Sequence, residues 1–313
     1  MSSLLLPSLF DLQVNGFAGV DFQQPRIEID AMRRAVASLR KHQTHRILLT
    51  LITDAVDALC RKFAGIEELR RADPMIAGTI CGYHLEGPWL SPEPGFCGAH
   101  PPQHMCAPSL ADFRRLQDAA GGNIRLLTIA PEWPGSDEFI ATVARENVVV
   151  SLGHTDASEA QIDAAVRAGA TMCTHLGNGV PQTLHRHDNI IQRLLGRDEL
   201  VACFIPDGIH LPPCALRNLF RAKPPGRAIF TTDAMAAAAA PEGRYTIGLS
   251  EVESRDGVVR VPGKPNFAGS SLTPDRGVTN VAKWLGLSLA DAHALFSTTA
   301  ARLFDINLPF LDS

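Results

Sequence analysis

Eight short apolar runs, rich in β-branched residues, recur along the chain about every 31 residues, which is the length of a strand plus a returning helix. They cover residues 9–14, 46–53, 76–85, 124–130, 148–153, 170–176, 200–205 and 228–232. Segments with helical spacing lie between them, at 29–42, 56–72, 109–120, 136–146, 158–169, 189–197 and 212–222. Apolar strands that alternate with helices are typical of a parallel sheet covered by helices.

Eight strand and helix units favour a closed (β/α)8 TIM barrel, an α/β fold, over an open doubly wound sheet. We expect residues 1–313 to form a single barrel domain. After the eighth strand, residues 244–262 predict a β-hairpin insertion of two short strands with its turn at Asp256-Gly257. Two further helices are expected at 274–285 and 288–303.

Composition excludes several classes of protein. A content of 45% hydrophobic and 20% charged residues, with a net charge of -4, gives no electrostatic footprint for nucleic acid or an anionic membrane. The first ten residues have too short an apolar run for a signal peptide or a membrane span, so a cytoplasmic location is the default expectation. Seven cysteines without a C-x-x-C pair favour reduced thiols over a disulfide framework.

Polar residues follow the predicted strands at the end of the barrel where such folds keep their chemistry. They are Gln13 and Asn15 at strand one, His84 and Glu86 at strand three, His154 at strand five, His175 at strand six, Asp207 and His210 after strand seven, and Asp233 at strand eight. Any single one of these is more often a core or capping group than a ligand. Their joint position at one end of the barrel is what favours a site.

One glutamate and two histidines from three strands would give a divalent metal three protein ligands. This set leaves a coordination position open for water, which is the pattern of catalytic rather than structural metal sites. A carboxylate such as Asp233 could take a proton from the water and pass it to a leaving group.

Several motifs occur in a fixed order between about residues 9 and 304 and resemble those of the N-acetylglucosamine-6-phosphate deacetylases, a branch of the amidohydrolase superfamily. They are "FDLQVNGFAGVDF", "HLEGPWLSPEPGFCGAHPP", "GHTDAS", "AVRAGATMCTHLGN", "PDGIHL", "TTDAMAAAAAPEGRYTIG" and "AGSSLTPDRGV". The resemblance implies a metal-bearing barrel with ligands at Glu86, His154 and His175 and a catalytic aspartate at Asp233. It also implies that His210 contacts the substrate and helps to stabilise the carbonyl oxygen.

The resemblance further implies which residues border the sugar: Ala99, Asn178, Gly179, Phe267 and Ala268, with His100 a further candidate on the same rim. Many amidohydrolases carry two metal-binding histidines where this chain has Gln13 and Asn15. Neutral amides are poor substitutes for imidazole toward zinc or iron, so we predict a single metal ion. The amides would instead hydrogen-bond to its ligands. Zinc suits the ligand set, with iron, cobalt and manganese as alternatives.

Three departures from the family pattern bear on stability and substrate choice. Only eight residues precede the first strand and the chain stops at Ser313, so we expect the family's small β-sandwich domain to be largely absent. The family segment H-[LFY]-x-N-A-M is "HLGNGV" here, which changes Gly179 and Val180. The usual Arg-Glu-Pro-Gly segment is replaced, although Arg186 keeps the spacing of the family's phosphate-reading arginine after Asn178.

The leading hypothesis is a metal-dependent hydrolase that converts N-acetylglucosamine 6-phosphate to glucosamine 6-phosphate and acetate. Its partner would be a small amino sugar phosphate, with neither nucleic acid nor membrane. The alternatives are a deacetylase of another N-acetylated sugar or amino acid, and a metal-binding or sugar-binding barrel without catalysis. A binding module has no need for a proton-transfer carboxylate, so Asp233 argues against the last of these. The assembly state is left open, with a homodimer as one candidate.

Overall fold

Eight strands form one parallel sheet in the computed structural model, which describes residues 6–263 and 266–311. In chain order they are β1 (Leu9–Val14), β2 (Thr44–Ile52), β3 (Ile80–Glu86), β4 (Ile124–Ile129), β5 (Val149–Leu152), β6 (Ala170–Cys173), β7 (Val201–Phe204) and β8 (Ala228–Phe230). Each strand pairs with the next one in sequence. This arrangement confirms the predicted (β/α)8 barrel.

Helices connect successive strands and cover the outside of the sheet. They are α1 (Ile29–Lys41), α2 (Val56–Ala72), α3 (Pro74–Thr79), α4 (Leu110–Ala119), α5 (Ser136–Arg145), α6 (Glu159–Ala168), α7 (Ile190–Leu195) and α8 (Pro213–Ala222), followed after β8 by α9 (Pro274–Leu285), α10 (Leu289–Leu295) and α11 (Thr298–Arg302). Among the helices of the described residues, none combines the length and apolarity that crossing a membrane requires.

The ring closes between β8 and β1 by a few specific contacts. Val14 and Ala234 form a parallel bridge, and the N–H of Asn15 donates to the carbonyl of Ala234 over 2.7 Å. Lower in the seam, the buried carboxylate of Asp11 accepts the hydroxyls of Thr231 and Thr232. These contacts therefore join β8 to β1 directly beside Asp233, which follows β8.

Apolar residues fill the barrel on both sides of the sheet. Leu49 and Leu127 face the helices, whereas Leu48 and Leu126, one position away, belong to a second buried cluster. Because side chains alternate along a strand, this second cluster faces the barrel interior. Phe304, after α11, packs against it and so closes the amino-terminal end of the barrel. The opposite end is left to polar residues.

Some predicted elements differ from the structure. Residues 76–85 were expected to form one strand, but α3 occupies residues as far as Thr79 and β3 begins at Ile80. Asp73 is the reason, because its side chain accepts the N–H groups of Met75 and Ile76 and so caps a short helix that starts at Pro74. Likewise, the helix expected at 288–303 is divided into α10 and α11.

An antiparallel sheet follows β8 at the carboxyl end of the barrel. It has three strands, β9 (Gly243–Ile247), β10 (Ser250–Arg255) and β11 (Val258–Arg260), rather than the two that were expected. The turn between the last two is at Asp256-Gly257, where both residues have positive φ, 51° and 77°. Such a turn matches the twist of the flanking strands. The sheet places Ile247 on the wall of the central cavity.

Candidate active site

Three buried side chains converge at the carboxyl ends of the strands. Glu86 is the last residue of β3, and His154 and His175 follow β5 and β6. One potential ligand atom from each lies within 4.8 Å of the other two. Oε1 of Glu86 lies 3.0 Å from Nε2 of His175 and 3.4 Å from Nε2 of His154. The structure thus brings together the three residues that the sequence singled out as metal ligands.

The tautomer of His154 tests whether this cluster fits a cation. Its Nδ1 lies 2.7 Å from the carbonyl oxygen of Phe96, which accepts the Nδ1 proton. In the neutral ring Nε2 then presents a lone pair toward Glu86, an unfavourable arrangement unless a cation or a second proton lies between them. Imidazole nitrogens with one carboxylate are the donors of catalytic zinc sites. The donor set and its outer hydrogen bond therefore fit a divalent ion.

Glu86 and His175 shift each other's pKa. Burial by itself would raise the pKa of Glu86, but its close contacts with His154 and His175 hold it well below its ordinary value. Burial would likewise lower the pKa of His175, yet the hydrogen bond to Glu86 raises it overall. Glu86 is consequently ionised across the whole neutral range and offers a permanent negative charge to a cation.

The second oxygen of Glu86 is occupied by other partners. Nε2 of Gln13 donates to Oε2 over 3.1 Å. Nε2 of His100 lies 3.7 Å from the same oxygen, while Nδ1 of His100 accepts the backbone N–H of Thr53 over 3.4 Å. Gln13 thus contacts Glu86, one of the three candidate ligands, and leaves Oε1 facing the two histidines.

His84 lies below Glu86 on the same strand but outside the cluster. Its Nε2 is 2.7 Å from the hydroxyl of Thr128, and burial lowers its pKa to about 4. His84 is therefore neutral and belongs to a buried hydrogen-bonded layer of the barrel interior.

Asp233 follows β8 and faces the same space as the cluster. Its Oδ1 accepts the side-chain N–H of Asn15 over 2.7 Å. Burial, followed by the negative charge of Glu86, raises the pKa of Asp233 to about 7. A carboxyl group with such a pKa can both accept and release a proton near neutrality.

His210 lies across the cavity and is hydrogen-bonded to Asp207. Nδ1 of His210 is 2.6 Å from Oδ2 of Asp207. Burial would raise the pKa of Asp207, but the hydrogen bond and charge of His210 lower it overall. The His210 ring also packs on Phe267, with 5.0 Å between ring centroids. Asp207 thus fixes the ring and leaves Nε2 for the cavity.

The Glu86, His154 and His175 cluster, Asp233 and His210 border one cavity of about 380 Å³, a size that suits a small-molecule ligand. Of the residues expected to border the sugar, the wall includes Ala99, His100, Asn178, Gly179 and Phe267. Gln182 and Asn266 also line the wall, and no motif in the sequence points to either residue.

Two predicted substrate residues lie elsewhere. Ala268 is buried beneath the three-stranded sheet with Met235 and Val259, and it is not part of the cavity wall. Its side chain is turned away because neighbouring residues of an extended segment face opposite sides, and Phe267 faces the cavity. Arg186 is exposed on the loop after β6, beyond the wall residues Gln182 and Leu184.

Two functional contacts escaped the sequence reasoning. The strand pattern places Asp207 after strand seven but does not pair it with His210. The three-residue spacing in "PDGIHL" is the feature of the sequence that indicates this pair. The carbonyl of Phe96 holds His154 from a different loop. A backbone oxygen leaves no trace in residue identity, so this contact could not be read from the sequence.

Comparisons with known proteins agree with this geometry. No family model matches the chain. The N-acetylglucosamine-6-phosphate deacetylase of Bos taurus is 34% identical over 312 residues, which span 97% of this chain and 75% of that protein. The N-acetylgalactosamine-6-phosphate deacetylase of Escherichia coli O157:H7 is 31% identical, over 98% of this chain and 79% of its own length.

A solved structure shares the fold in detail. It is a variant of N-acetyl-D-glucosamine-6-phosphate deacetylase from Mycobacterium smegmatis in complex with N-acetyl-D-glucosamine-6-phosphate. It superimposes with a TM-score of 0.89 at 32% identity and covers 98% of this chain and 79% of that one. Sequence, fold and the buried Glu86, His154 and His175 cluster agree, and the chain belongs to the N-acetylglucosamine-6-phosphate deacetylase family of the amidohydrolase superfamily.

Proposed function

We propose that this protein hydrolyses the N-acetyl amide of N-acetylglucosamine 6-phosphate and releases glucosamine 6-phosphate and acetate. The observation that carries the proposal is a Glu/His/His cluster that shares one cavity with a buried carboxyl group whose pKa is about 7. Family membership supports the same reaction.

We also propose one divalent ion per chain, held by Glu86, His154 and His175, with zinc favoured over iron, cobalt or manganese. When bound, such an ion polarises a carbonyl group and acidifies water. The amides of Gln13 and Asn15 already donate to Glu86 and Asp233. Their engagement in these hydrogen bonds supports a single ion rather than two.

Asp233 moves the proton in this mechanism. Its Oδ1 is held by Asn15, so Oδ2 is the oxygen that accepts the proton of the attacking water. The same group then delivers that proton to the departing nitrogen, which leaves as an amine. A pKa near 7 suits both steps because neither direction of transfer is strongly uphill.

His210 stabilises the charge that develops on the acetyl oxygen. Asp207 accepts the proton on Nδ1, so Nε2 is a donor only when the ring is protonated. The contact of 2.6 Å with Asp207 holds the ring in place at the cavity. Nε2–H can therefore donate to the carbonyl oxygen more strongly as its negative charge grows.

Arg186 is the proposed reader of the 6-phosphate. Within the described ranges, the cavity wall contains neither lysine nor arginine. Arg186 lies on the loop that continues from the wall, and its exposed guanidinium has no hydrogen bond or ion pair among the described residues. A free guanidinium matches a phosphate through two parallel hydrogen bonds.

Assembly as a homodimer and a cytoplasmic location stay predictions.

N-acetylgalactosamine 6-phosphate is a second candidate substrate, since a relative at 31% identity is named for its deacetylation. The two sugars differ at one hydroxyl, so the cluster and Asp233 would act identically on both.

Acetate release by purified, metal-loaded protein tests the proposal. The panel is N-acetylglucosamine 6-phosphate, N-acetylgalactosamine 6-phosphate, N-acetylglucosamine and an N-acetyl amino acid. The expected result is the highest kcat/KM on N-acetylglucosamine 6-phosphate, with acetate and free amine formed in equal amounts. Acetate from none of the four compounds would leave the non-catalytic barrel as the better account.

A further inference from the structure

The backbone of Asp233 is held in a conformation that residues other than glycine seldom adopt. Its φ is 51°, in the left-handed region, where a residue with a Cβ is strained. Such strain persists only where surrounding contacts over-determine it. The contacts around Asp233 come from its chain neighbours Thr232 and Ala234 and from the distant residues Asn15 and Ser270.

The hydroxyl of Thr232 makes the first set of these contacts. Oγ1 accepts the N–H of Ala234 over 3.1 Å, which closes a tight turn around Asp233. The same hydroxyl donates to Oδ2 of Asp11 over 2.5 Å. The N–H of Thr232 also points at Asp11, 3.3 Å from each carboxylate oxygen. Thr232 and Asp11 are both fully buried, so water does not compete with these bonds.

A second set of contacts holds the other side of the turn. The hydroxyl of Ser270 donates to the carbonyl of Thr232 over 2.6 Å, and its N–H donates to the carbonyl of Asp233 over 2.8 Å. The amide carbonyl groups on either side of Asp233 are therefore fixed independently of its side chain. The hydrogen bond from Asn15 to Oδ1 holds the side chain of Asp233 as well.

We propose that Thr232, anchored by Asp11, is the positioning residue for the proton-transferring carboxylate of Asp233. Its hydroxyl sets the backbone turn that points Asp233 at the cluster of Glu86, His154 and His175. This inference rests on the proposed function for its kinetic consequence, but its structural consequence is independent of any activity.

Thr231 supplies a matched control. Its hydroxyl also donates to the Asp11 carboxylate, and its side chain is equally buried. Unlike Thr232, Thr231 makes no side-chain hydrogen bond to the Asp233 turn, and among the described residues its hydroxyl bonds to Asp11 alone. Thr231→Val and Thr232→Val therefore remove the same kind of bond from the same carboxylate, and only the second opens the turn.

The experiment measures kcat, KM and metal content for both variants, alone and combined with Asp233→Asn. We expect Thr232→Val to lower kcat by about 10- to 100-fold with KM and metal content retained, the scale of a misplacement of about 1 Å. The kcat of Thr231→Val should stay within about threefold of the parent value. This change weakens the contact between β8 and β1 but leaves the turn around Asp233 closed. In the Asp233→Asn background Thr232→Val should cause no further loss, because a residue that acts only through Asp233 has nothing left to position.

Equal losses for the two threonine variants would overturn the proposal, as would a loss from Thr232→Val that multiplies with that of Asp233→Asn. If Thr232→Val fails to fold, Ser270→Ala opens the other side of the turn and carries the same expectations. A crystal structure of the variant gives a readout without activity: φ of Asp233 should leave the left-handed region. If the parent releases no acetate, the proposed function fails, and that φ still decides the positioning role.

Discussion

The side-chain amide of Asn15 donates to Oδ1 of Asp233 over 2.7 Å and so connects the end of the first strand to the end of the last. Both residues are buried. Asn15 occupies a position where many amidohydrolases place a metal-binding histidine. In this chain the position contributes a hydrogen bond to the proposed base instead of a second metal ligand.

Asn15→Leu should move the acid limb of the kcat profile to higher pH. Burial and Glu86 raise the pKa of Asp233, and the hydrogen bond from Asn15 opposes that rise. Without it the pKa rises further, so a larger fraction of Asp233 is protonated, and unable to accept a proton, between about pH 6 and 7. We expect a shift of up to about one unit.

The shift is measured from kcat between about pH 5.5 and 9. A bound cation lowers the pKa in both proteins, so the difference between them is the tested quantity. Asn123→Leu is the control, because Asn123 bonds Glu67 and Ala120 before β4, at the opposite end of the barrel. An unmoved acid limb in Asn15→Leu would show that another group governs it.

His154→Ala should remove the metal. Two remaining ligands, Glu86 and His175, rarely hold zinc against solvent, so elemental analysis should fall from about one ion per chain to near zero. His187→Ala is the control, since His187 is exposed on the loop after β6 and outside the cluster. Two ions in the parent protein, or full occupancy in His154→Ala, would contradict the single site formed by these three residues.

Gly98→Ala should weaken metal binding without touching a ligand. Gly98 has φ of 58°, and a Cβ there would lie 2.9 Å from Cε1 of His154. The ring must move from the position that Phe96 fixes, so metal affinity should fall by about 10- to 100-fold, as for other groups that orient a ligand.

Gly122→Ala separates this contact from backbone strain. Gly122 also has a positive φ, 76°, but nothing lies within 4 Å of an added Cβ. Both variants should lose about 1–2 kcal/mol of unfolding free energy from the left-handed alanine. Only Gly98→Ala should release metal in a chelator titration. Equal metal affinity in the two would mean that the His154 ring adjusts freely.

The sequence predicted the barrel well because apolar period and length determine it. The bounds of the first strand, Leu9–Val14, agree residue for residue. The third strand was wrong over residues 76–79 because "IAGT" is as apolar as a strand, and only the cap formed by Asp73 and Pro74 identifies a helix. Local hydrogen bonding overrode composition there.

The sequence could predict the parts of the site that depend on residue type. It could not predict the parts that depend on contacts between distant residues. Glu86, His154 and His175 were identifiable by type and strand position. The hydrogen bond between Thr232 and Asp11 joins residues 221 positions apart. Neither side chain is unusual in itself. Such contacts depend on how the barrel closes, which no single segment of sequence encodes.

Arg186→Met should lower kcat/KM for N-acetylglucosamine 6-phosphate by about 10- to 150-fold, the equivalent of losing roughly 1.5–3 kcal/mol of charge-assisted hydrogen bonding. Activity on unphosphorylated N-acetylglucosamine should barely change. Arg255→Met is the control, because Arg255 is also exposed but lies on the three-stranded sheet and outside the cavity wall. Equal losses on both sugars, or none on either, would remove Arg186 from the phosphate site.

The most direct test of the account is the pairing of metal content with acetate release in Asp233→Asn. Asparagine keeps the shape of the side chain and cannot accept the proton. The account predicts about one divalent ion per chain in both the parent and the variant, with turnover of N-acetylglucosamine 6-phosphate lower in the variant by about 10² or more. Near-parental turnover in metal-loaded Asp233→Asn would contradict it, because another group would then carry the proton.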